Sequence, residues 1–216
     1  MQIVEKNRTA VIMTEQTSPQ FGGRCGFLFV KRIFDFVFAI FAGVICLIPM
    51  VVIALLIRLD SPGPAIFKQE RLGKDGKPFV MLKFRSMIMD AEIHGPQWAE
   101  KDDDRCTRLG RILRNTRMDE LPQLWNILKG DMSFVGPRPE RAYFYDYFET
   151  YIPGFRDRLQ VQPGLTGYAQ VNGGYDLLPE EKIVYDMEYI HDRSFLMDIK
   201  CILKTIVVVL SHDGAR

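Results

Sequence analysis

The chain has 216 residues, of which 47% are apolar and 25% are charged, so it is long enough and apolar enough to build one domain with a substantial core. This composition excludes a disordered acidic tail and a small disulfide-stabilised protein. The formal net charge is +1, so there is no overall basic field, and we expect no nucleic-acid partner. The four cysteines and three histidines show neither a CxxC pair nor a metal-ligand spacing.

An apolar run from Phe36 to Ile57 is the first element that the sequence predicts. Its 22 residues carry no charge and would form roughly 33 Å of helix, about the thickness of a hydrocarbon core. Because the run is apolar on every face, a membrane segment is favoured over a buried helix of a soluble protein. Pro49 favours a kink, and basic residues flank both ends, where they prefer the cytoplasmic face. These features favour a re-entrant helix, while the length also permits a span.

The apolar run divides the sequence into three parts. We expect an N-terminal tail at residues 1–30, a membrane segment at 31–58 and one cytoplasmic domain at 59–216. Two prolines and a glycine at 62–64 end the apolar helix, because they cannot continue it.

A strand is predicted from Pro78 to Met87. Its apolar face carries Val80, Leu82 and Phe84. Lys83 and Arg85 would share the opposite face, because side chains two apart in a strand point the same way. Two adjacent cations suit phosphate binding, although an ordinary solvated strand face shows the same pattern.

Arginine recurs at every third position from Arg105 to Arg117. This spacing drifts around a helix instead of forming one stripe. The run is either a solvated face, balanced by the acidic residues 102–104, or a contact surface for lipid or substrate phosphates.

An amphipathic helix is predicted from Met118 to Lys129. Its inward face would carry Leu121, Leu124, Trp125 and Leu128. Pro122 is tolerated only near a helix start, so Asp119 and Glu120 are expected in the first turn, at the positive end of the helix dipole. That position favours ionised carboxylates and attracts phosphate, although simple N-capping explains the same residues.

Arg138 lies between two prolines that constrain its backbone. A guanidinium positioned in this way can grip an oxyanion, and an idle surface turn is the alternative.

Two further segments suit either a core or a membrane surface. The aromatic residues at 143–151 fit core packing or an interfacial belt. A helix near the C-terminus is amphipathic and suits the membrane surface. Its apolar stripe consists of Leu196, Ile199, Leu203, Ile206 and Leu210.

Together these residues resemble the bacterial sugar transferases, the monotopic phosphoglycosyl transferases that start glycan assembly on a polyprenol carrier. The resemblance runs from residue 31 to about residue 210 and is closest to the minimal catalytic form, which has no multi-helix N-terminal region. Its anchors are KRIFD at 31–35, DSPGP at 60–64, LKFRSM at 82–87, MDELPQL at 118–124, GDMSFVGPRP at 130–139 and PGLTG at 163–167.

The resemblance implies transfer of sugar 1-phosphate from a UDP-sugar to undecaprenyl phosphate, with release of UMP and a requirement for Mg²⁺. It places this reaction at the start of exopolysaccharide, capsule or other glycan assembly, on the cytoplasmic face of the bacterial inner membrane. The expected fold is α+β and predominantly helical. It combines a re-entrant helix broken at Pro49 with a small cytoplasmic domain that has short strands and interfacial amphipathic helices, and it leaves room for a homo-oligomer.

The resemblance also implies the roles of individual residues. Asp119 is the nucleophile that forms a phosphosugar-aspartyl intermediate, and Glu120 helps to hold the metal or to handle protons. Both carboxylates are therefore the expected Mg²⁺ ligands. The expected phosphate-binding residues are Lys83, Arg85, Arg114 and Arg138. Asp186 matches a further acidic position near the site.

Three positions depart from the family pattern: Ile48 stands where Ser is often found, Gln162 where Arg is common, and Tyr168 where Trp is frequent. A catalytically idle, membrane-anchored scaffold of a glycan pathway is the alternative function, against which the intact acidic pair counts. A glycoside hydrolase is disfavoured, because adjacent acids on a helix diverge by about 100° and cannot readily flank one sugar.

Overall fold

The computed structural model describes residues 25–93, 95, 103–173 and 177–211. Residues 1–24 of the predicted tail, Asp102 of the acidic run and the side chain of Leu210 lie outside the described residues. The elements in chain order are α1 (Cys25–Asp60), β1 (Ile66–Leu72), β2 (Pro78–Phe84), α2 (Arg108–Asn115), α3 (Gln123–Lys129), β3 (Ser133–Val135), α4 (Ala142–Glu149), β4 (Gly164–Thr166), α5 (Tyr168–Asn172), α6 (Pro179–Asp192) and α7 (Phe195–Ser211). The predicted predominance of helix over small sheets is confirmed.

Helix α1 is long and apolar enough to cross a membrane, and Pro49 lies inside it without ending it. One narrow face packs against the rest of the protein, through Lys31, Asp35 and Ala39 in the first half and through Ile53 and Ile57 in the second. Most of its remaining surface is apolar and exposed. Exposed apolar surface of this extent is stable in lipid rather than in water.

Polar side chains fix the first half of α1 to the domain. Lys31 forms a 2.7 Å ion pair with Asp198 of α7, and the carboxylate of Asp35 accepts a hydrogen bond from the backbone N–H of Phe134. Arg32 donates to the carbonyl oxygens of residues 127 and 128 in the last turn of α3, and the first of these also accepts from the backbone N–H of Gly130. The second half of α1 contributes Ile53 and Ile57 to a cluster with Phe84 and Leu113.

Strands β1 and β2 form an antiparallel hairpin, with Ile66 opposite Phe84 and Leu72 opposite Pro78. The second strand ends at Phe84, so the prediction that it reaches Met87 is wrong. The predicted apolar face is also only partly correct, because Val80 is exposed whereas Met81 is buried. The reason is that α3 packs against the face that carries Met81.

A second, parallel pair joins β3 to β4, and the main core lies beside it. This core gathers Ile127, Met132, Val135, Tyr189 and Cys201 from five different segments. The strands are short, so most of their stabilisation comes from the helices that cover them.

The two ambiguous segments resolve differently. In the aromatic segment, Tyr145 and Phe148 pack in the core, whereas Tyr143, Tyr147 and Tyr151 form an exposed row, for which the interfacial belt stays a prediction. In α7, the predicted stripe from Leu196 to Ile206 is exposed, and the opposite face is buried.

Candidate active site

A cavity of about 710 Å³ opens between the β1–β2 hairpin, the segment 117–120, the loop after β3 and helix α6. It brings together all seven side chains that the sequence analysis placed at a site, although they are spread over more than 100 positions. These residues are Lys83, Arg85, Arg114, Asp119, Glu120, Arg138 and Asp186.

The sequence predicts that the acidic pair lies in the first turn of a helix from residue 118 to residue 129. This prediction is wrong. Asp119 and Glu120 occupy a separate 3₁₀ turn, and α3 begins only after Pro122. In this shorter helix, a different set of side chains faces the core. Trp125 is 59% exposed, whereas Ile127 is fully buried. The charge state of the pair is therefore set by neighbouring side chains rather than by a long helix dipole.

Glu120 is neutralised by two cations. Arg138 Nη2 lies 2.5 Å from Glu120 Oε1, and Lys83 Nζ lies 3.4 Å from the same oxygen. Burial raises the pKa of Glu120, but Arg138 and then Lys83 outweigh burial and hold the pKa below its usual range. Glu120 is therefore ionised at neutral pH and serves as the fixed anion that holds both cations in place.

Asp119 is buried as well, but its carboxylate makes no hydrogen bond or ion pair with any residue that the structure describes. Burial raises the pKa of Asp119, the positive charge of Lys83 opposes this, and the negative charge of Glu120 adds to the rise. A carboxylate with a raised pKa and no bonded partner is a good candidate for a nucleophile, since its oxygens are free to approach a ligand in the cavity.

The hydrogen bonding of Arg114 indicates a site for an anionic ligand. Its Nε donates to Ser86 Oγ at 3.0 Å, whereas its Nη1 is buried and finds no acceptor among the described residues. A buried donor left without an acceptor costs about 1–3 kcal/mol, and a phosphate in the cavity would satisfy it. Three members of the arginine run, Arg105, Arg114 and Arg117, therefore line the cavity, whereas Arg108 and Arg111 are exposed to solvent.

The guanidinium of Arg85 makes its hydrogen bonds to other parts of the protein. It lies one residue beyond β2, so the strand alternation that paired it with Lys83 does not apply. Its Nη1 donates to the carbonyl of Pro62, and its Nη2 donates to the carbonyl and hydroxyl of Ser61 and to the carbonyl of Ile57. This side chain caps the end of α1, and these contacts do not support the phosphate-binding role predicted for it.

The carboxylate of Asp186 also has a partner within the protein. It forms a fully buried 2.7 Å ion pair with Arg158, whose Nη2 also donates to the backbone carbonyl of Arg138. Burial raises the pKa of Asp186, and Arg158 opposes the rise. Arg158 was missed by the sequence analysis, because a single arginine in a polar segment looks like any surface residue.

Asn126 was also missed. Its side chain accepts from the backbone N–H of Leu82 at 3.0 Å and donates to the carbonyl of Val80 at 2.7 Å, so it pairs with the outer edge of β2 as a strand would. The contact ties α3 to the strand that carries Lys83. A polar residue beside the buried face of a predicted helix was the available signal.

The acidic pair could hold Mg²⁺ only together with a ligand. Among the described residues there is no group of three or more His, Cys, Asp or Glu side chains placed to bind a metal. Mg²⁺ is commonly held by one or two carboxylates, waters and substrate phosphates, and Asp119 and Glu120 fit that arrangement.

Comparisons with known proteins identify similar sequences. A family model described as bacterial sugar transferase matches residues 27–212. The chain is 44% identical over 193 residues to the UDP-N-acetylgalactosamine-undecaprenyl-phosphate N-acetylgalactosaminephosphotransferase of Aeromonas hydrophila, covering 88% of this chain and 46% of that protein. It is 43% identical over 190 residues to a UDP-glucose:undecaprenyl-phosphate glucose-1-phosphate transferase of Caulobacter vibrioides, covering 86% and 71%. The chain thus spans about half the length of the Aeromonas relative.

The buried Arg158–Asp186 pair yields a prediction about stability. Asp186→Leu leaves the charge of Arg158 buried and unpaired, so we expect a loss of about 3–5 kcal/mol in the free energy of unfolding. The double variant Arg158→Met/Asp186→Leu removes both charges and should be closer to the wild type. Thermal unfolding of the detergent-solubilised proteins measures the difference. A double variant less stable than the single variant would contradict a mainly electrostatic role for the pair.

Proposed function

Because this chain belongs to the bacterial sugar transferase family, we propose that it transfers a sugar 1-phosphate from a UDP-sugar to undecaprenyl phosphate, with release of UMP, at the start of exopolysaccharide, capsule or other glycan synthesis. The observation that carries the proposal is the contrast within the acidic pair. Glu120 is held by two cations, while Asp119 beside it has no bonded partner in the described part of the chain.

The cavity suits a pyrophosphate. Lys83, Arg114 and Arg138 line it around Asp119, and the buried Nη1 of Arg114 lacks an acceptor among the described residues. An incoming pyrophosphate would supply that acceptor, and the three basic side chains would reduce the repulsion between its charge and the carboxylate of Asp119. Arg138 is well suited to this role, since two prolines and the Arg158 hydrogen bond hold its backbone.

The proposed transfer has two steps at one phosphorus atom. In the first, a carboxylate oxygen of Asp119 attacks the phosphorus that carries the sugar, the bond to the bridging oxygen breaks, and UMP leaves with that oxygen. In the second, a phosphate oxygen of the lipid attacks the same phosphorus, and the Asp119 carboxylate is released unchanged. Because the steps are separate, the soluble donor and the lipid acceptor need not be bound at the same time.

Mg²⁺ remains part of the proposal, with Asp119 and Glu120 as the residues that would hold it. Together with the substrate phosphates, it would neutralise charge that develops on the leaving oxygen. The roles proposed here for Lys83, Arg114 and Arg138 are to bind and orient the pyrophosphate.

The contacts of α1 support a re-entrant arrangement on the cytoplasmic side. Lys31 and Asp35 near its beginning and Ile57 near its end all pack against the same domain. A helix that crossed the bilayer would place its two ends on opposite faces, where one domain could not contact both. We propose that both ends of α1 lie on the cytoplasmic side, as its basic flanks favour.

The nucleophile is tested by UMP release. The protein, in nanodiscs with Mg²⁺ and undecaprenyl phosphate, is given a panel of UDP-sugars that includes N-acetylgalactosamine, glucose and galactose. We expect UMP from at least one donor and a loss of about 10³-fold or more in Asp119→Asn, whereas the exposed control Asp157→Asn should retain wild-type activity. Undiminished UMP release by Asp119→Asn would exclude the mechanism. Folded protein that releases no UMP from any donor would favour the idle scaffold.

The raised pKa of Asp119 predicts the pH dependence of the first step. Protonated Asp119 cannot attack, so single-turnover UMP formation without acceptor should fall with decreasing pH at a midpoint above 3.8, the ordinary value for aspartate. Lys83 lowers the pKa of Asp119, so Lys83→Met should move the midpoint to higher pH. Rapid-quench measurement at saturating donor gives both midpoints. A midpoint below 3.8, or one that moves down in Lys83→Met, would refute this assignment.

The topology of α1 is tested by cysteine labelling. In a background with the four native cysteines changed to alanine, single cysteines are introduced as Gly26→Cys, Leu59→Cys and, as a domain reference, Asp75→Cys. Intact cells treated with a membrane-impermeant maleimide should show the same protection at all three positions, and opened cells should show labelling of Asp75→Cys. Labelling of only one end of α1 in intact cells would demonstrate a span.

A further inference from the structure

The lining of the cavity includes both charged and apolar side chains. Lys83, Asp119 and Arg138 are among the charged ones, whereas Phe67 on β1, opposite Lys83 in the hairpin, and Ile88 and Met89 after β2 are among the apolar ones. We refer to Phe67, Ile88 and Met89 as the apolar rim. These three side chains line the cavity and are also exposed, with 52% exposure for Ile88 and 60% for Met89.

One member of the apolar rim, Met89, lies directly against the end of α1. Met89 Sδ is 3.5 Å from Arg85 Nη1, the nitrogen that also binds the carbonyl of Pro62 just after the helix. A Cβ placed on Gly63 would come within 2.7 Å of the same sulfur, so Met89 also contacts the turn that ends α1. Pro64, four residues after the end of α1, lines the cavity as well. The rim thus has one member, Met89, beside the end of the apolar helix and another, Phe67, beside the charged Lys83.

The two substrates of the proposed reaction place different demands on this wall. The donor is water-soluble and polyanionic, so the basic residues account for it. The acceptor carries its phosphate on a long hydrocarbon chain, and that phosphate must reach Asp119 while the chain stays in lipid. A path along the exposed charged side chains would force hydrocarbon against ionic groups, which is unfavourable. The rim offers an apolar path beside the membrane helix.

We propose that the apolar rim of Phe67, Ile88 and Met89 binds the isoprenoid units nearest to the phosphate of a polyprenyl phosphate acceptor and so guides that phosphate to Asp119. This inference rests on the proposed function and adds to it the place where the lipid substrate enters. Methionine is flexible and adapts to branched hydrocarbon, and isoleucine packs against it through dispersion contacts, so both suit an isoprenoid chain.

The test uses the double variant Ile88→Thr/Met89→Gln, which makes the rim polar with little change in side-chain size. The matched control is Ile112→Thr, which changes a similarly exposed isoleucine on α2 outside the cavity lining. For each protein, single-turnover UMP formation without acceptor reports the donor step, and steady-state turnover gives KM and kcat for the acceptor. Both undecaprenyl phosphate and the short, water-soluble geranyl phosphate are used.

We expect UMP formation without acceptor to be unchanged in the double variant, while the KM for acceptor rises about tenfold and kcat is retained at saturating acceptor. The rise should be similar for the long and short acceptors, because the rim contacts only the units nearest to the phosphate. The control variant should match the wild type in every measurement.

Three results would overturn the inference. An unchanged KM for acceptor would mean that the rim does not bind this substrate. Slower UMP formation without acceptor would assign the rim to the donor instead. An effect confined to undecaprenyl phosphate, with geranyl phosphate unaffected, would show that the rim only holds the protein in the bilayer. A wild-type protein that forms no UMP would instead refute the proposed function itself, and so the two failures are distinguishable.

Discussion

Two cations from distant parts of the chain meet on Glu120, and the arrangement of the cavity depends on this contact. Lys83 comes from β2, which Asn126 ties to α3, and Arg138 comes from the loop after β3, which Arg158 holds by its backbone carbonyl. Because Glu120 takes both cations, the neighbouring carboxylate of Asp119 is left without a bonded partner in the described part of the chain. One acid thus organises the site, and the other is available for chemistry.

Much of this arrangement could be predicted from local sequence. The long apolar helix, the second strand of the hairpin, the acidic pair and the arginine between two prolines are all local patterns, and the structure contains each of them, whereas strand β1 was not predicted. The remaining features depend on packing between distant segments. Trp125 is exposed because Pro122 shortens the helix and changes its phase, and Arg85 binds the end of α1 because β2 stops one residue before it. A periodic pattern in the sequence does not show at which residue a helix begins or a strand ends.

The partners of buried charges were the least predictable part of the site. Asp186 lines the cavity, but its ion pair with Arg158 joins residues 28 positions apart in sequence. Lys31 and Asp198 form a second pair of this kind. They lie 167 positions apart in sequence and fix the beginning of α1 to the last helix. Burial makes each pair sensitive to loss of one member, so these contacts tie the position of the membrane helix to the fold of the domain.

The chain as a whole is almost neutral, with 28 basic and 27 acidic residues, yet the cavity is not. Eleven lysines and arginines line it against five acidic residues, so a large share of the positive charge faces one space. A concave site of this kind draws anions toward it over a distance set by ionic strength. The anionic head groups of the surrounding bilayer feel the same attraction as the substrates. Anionic head groups are therefore expected to compete with the substrates for the cavity. The fraction of cavities that bind substrate should then depend on the lipid composition of the membrane as well as on the concentration of the sugar donor.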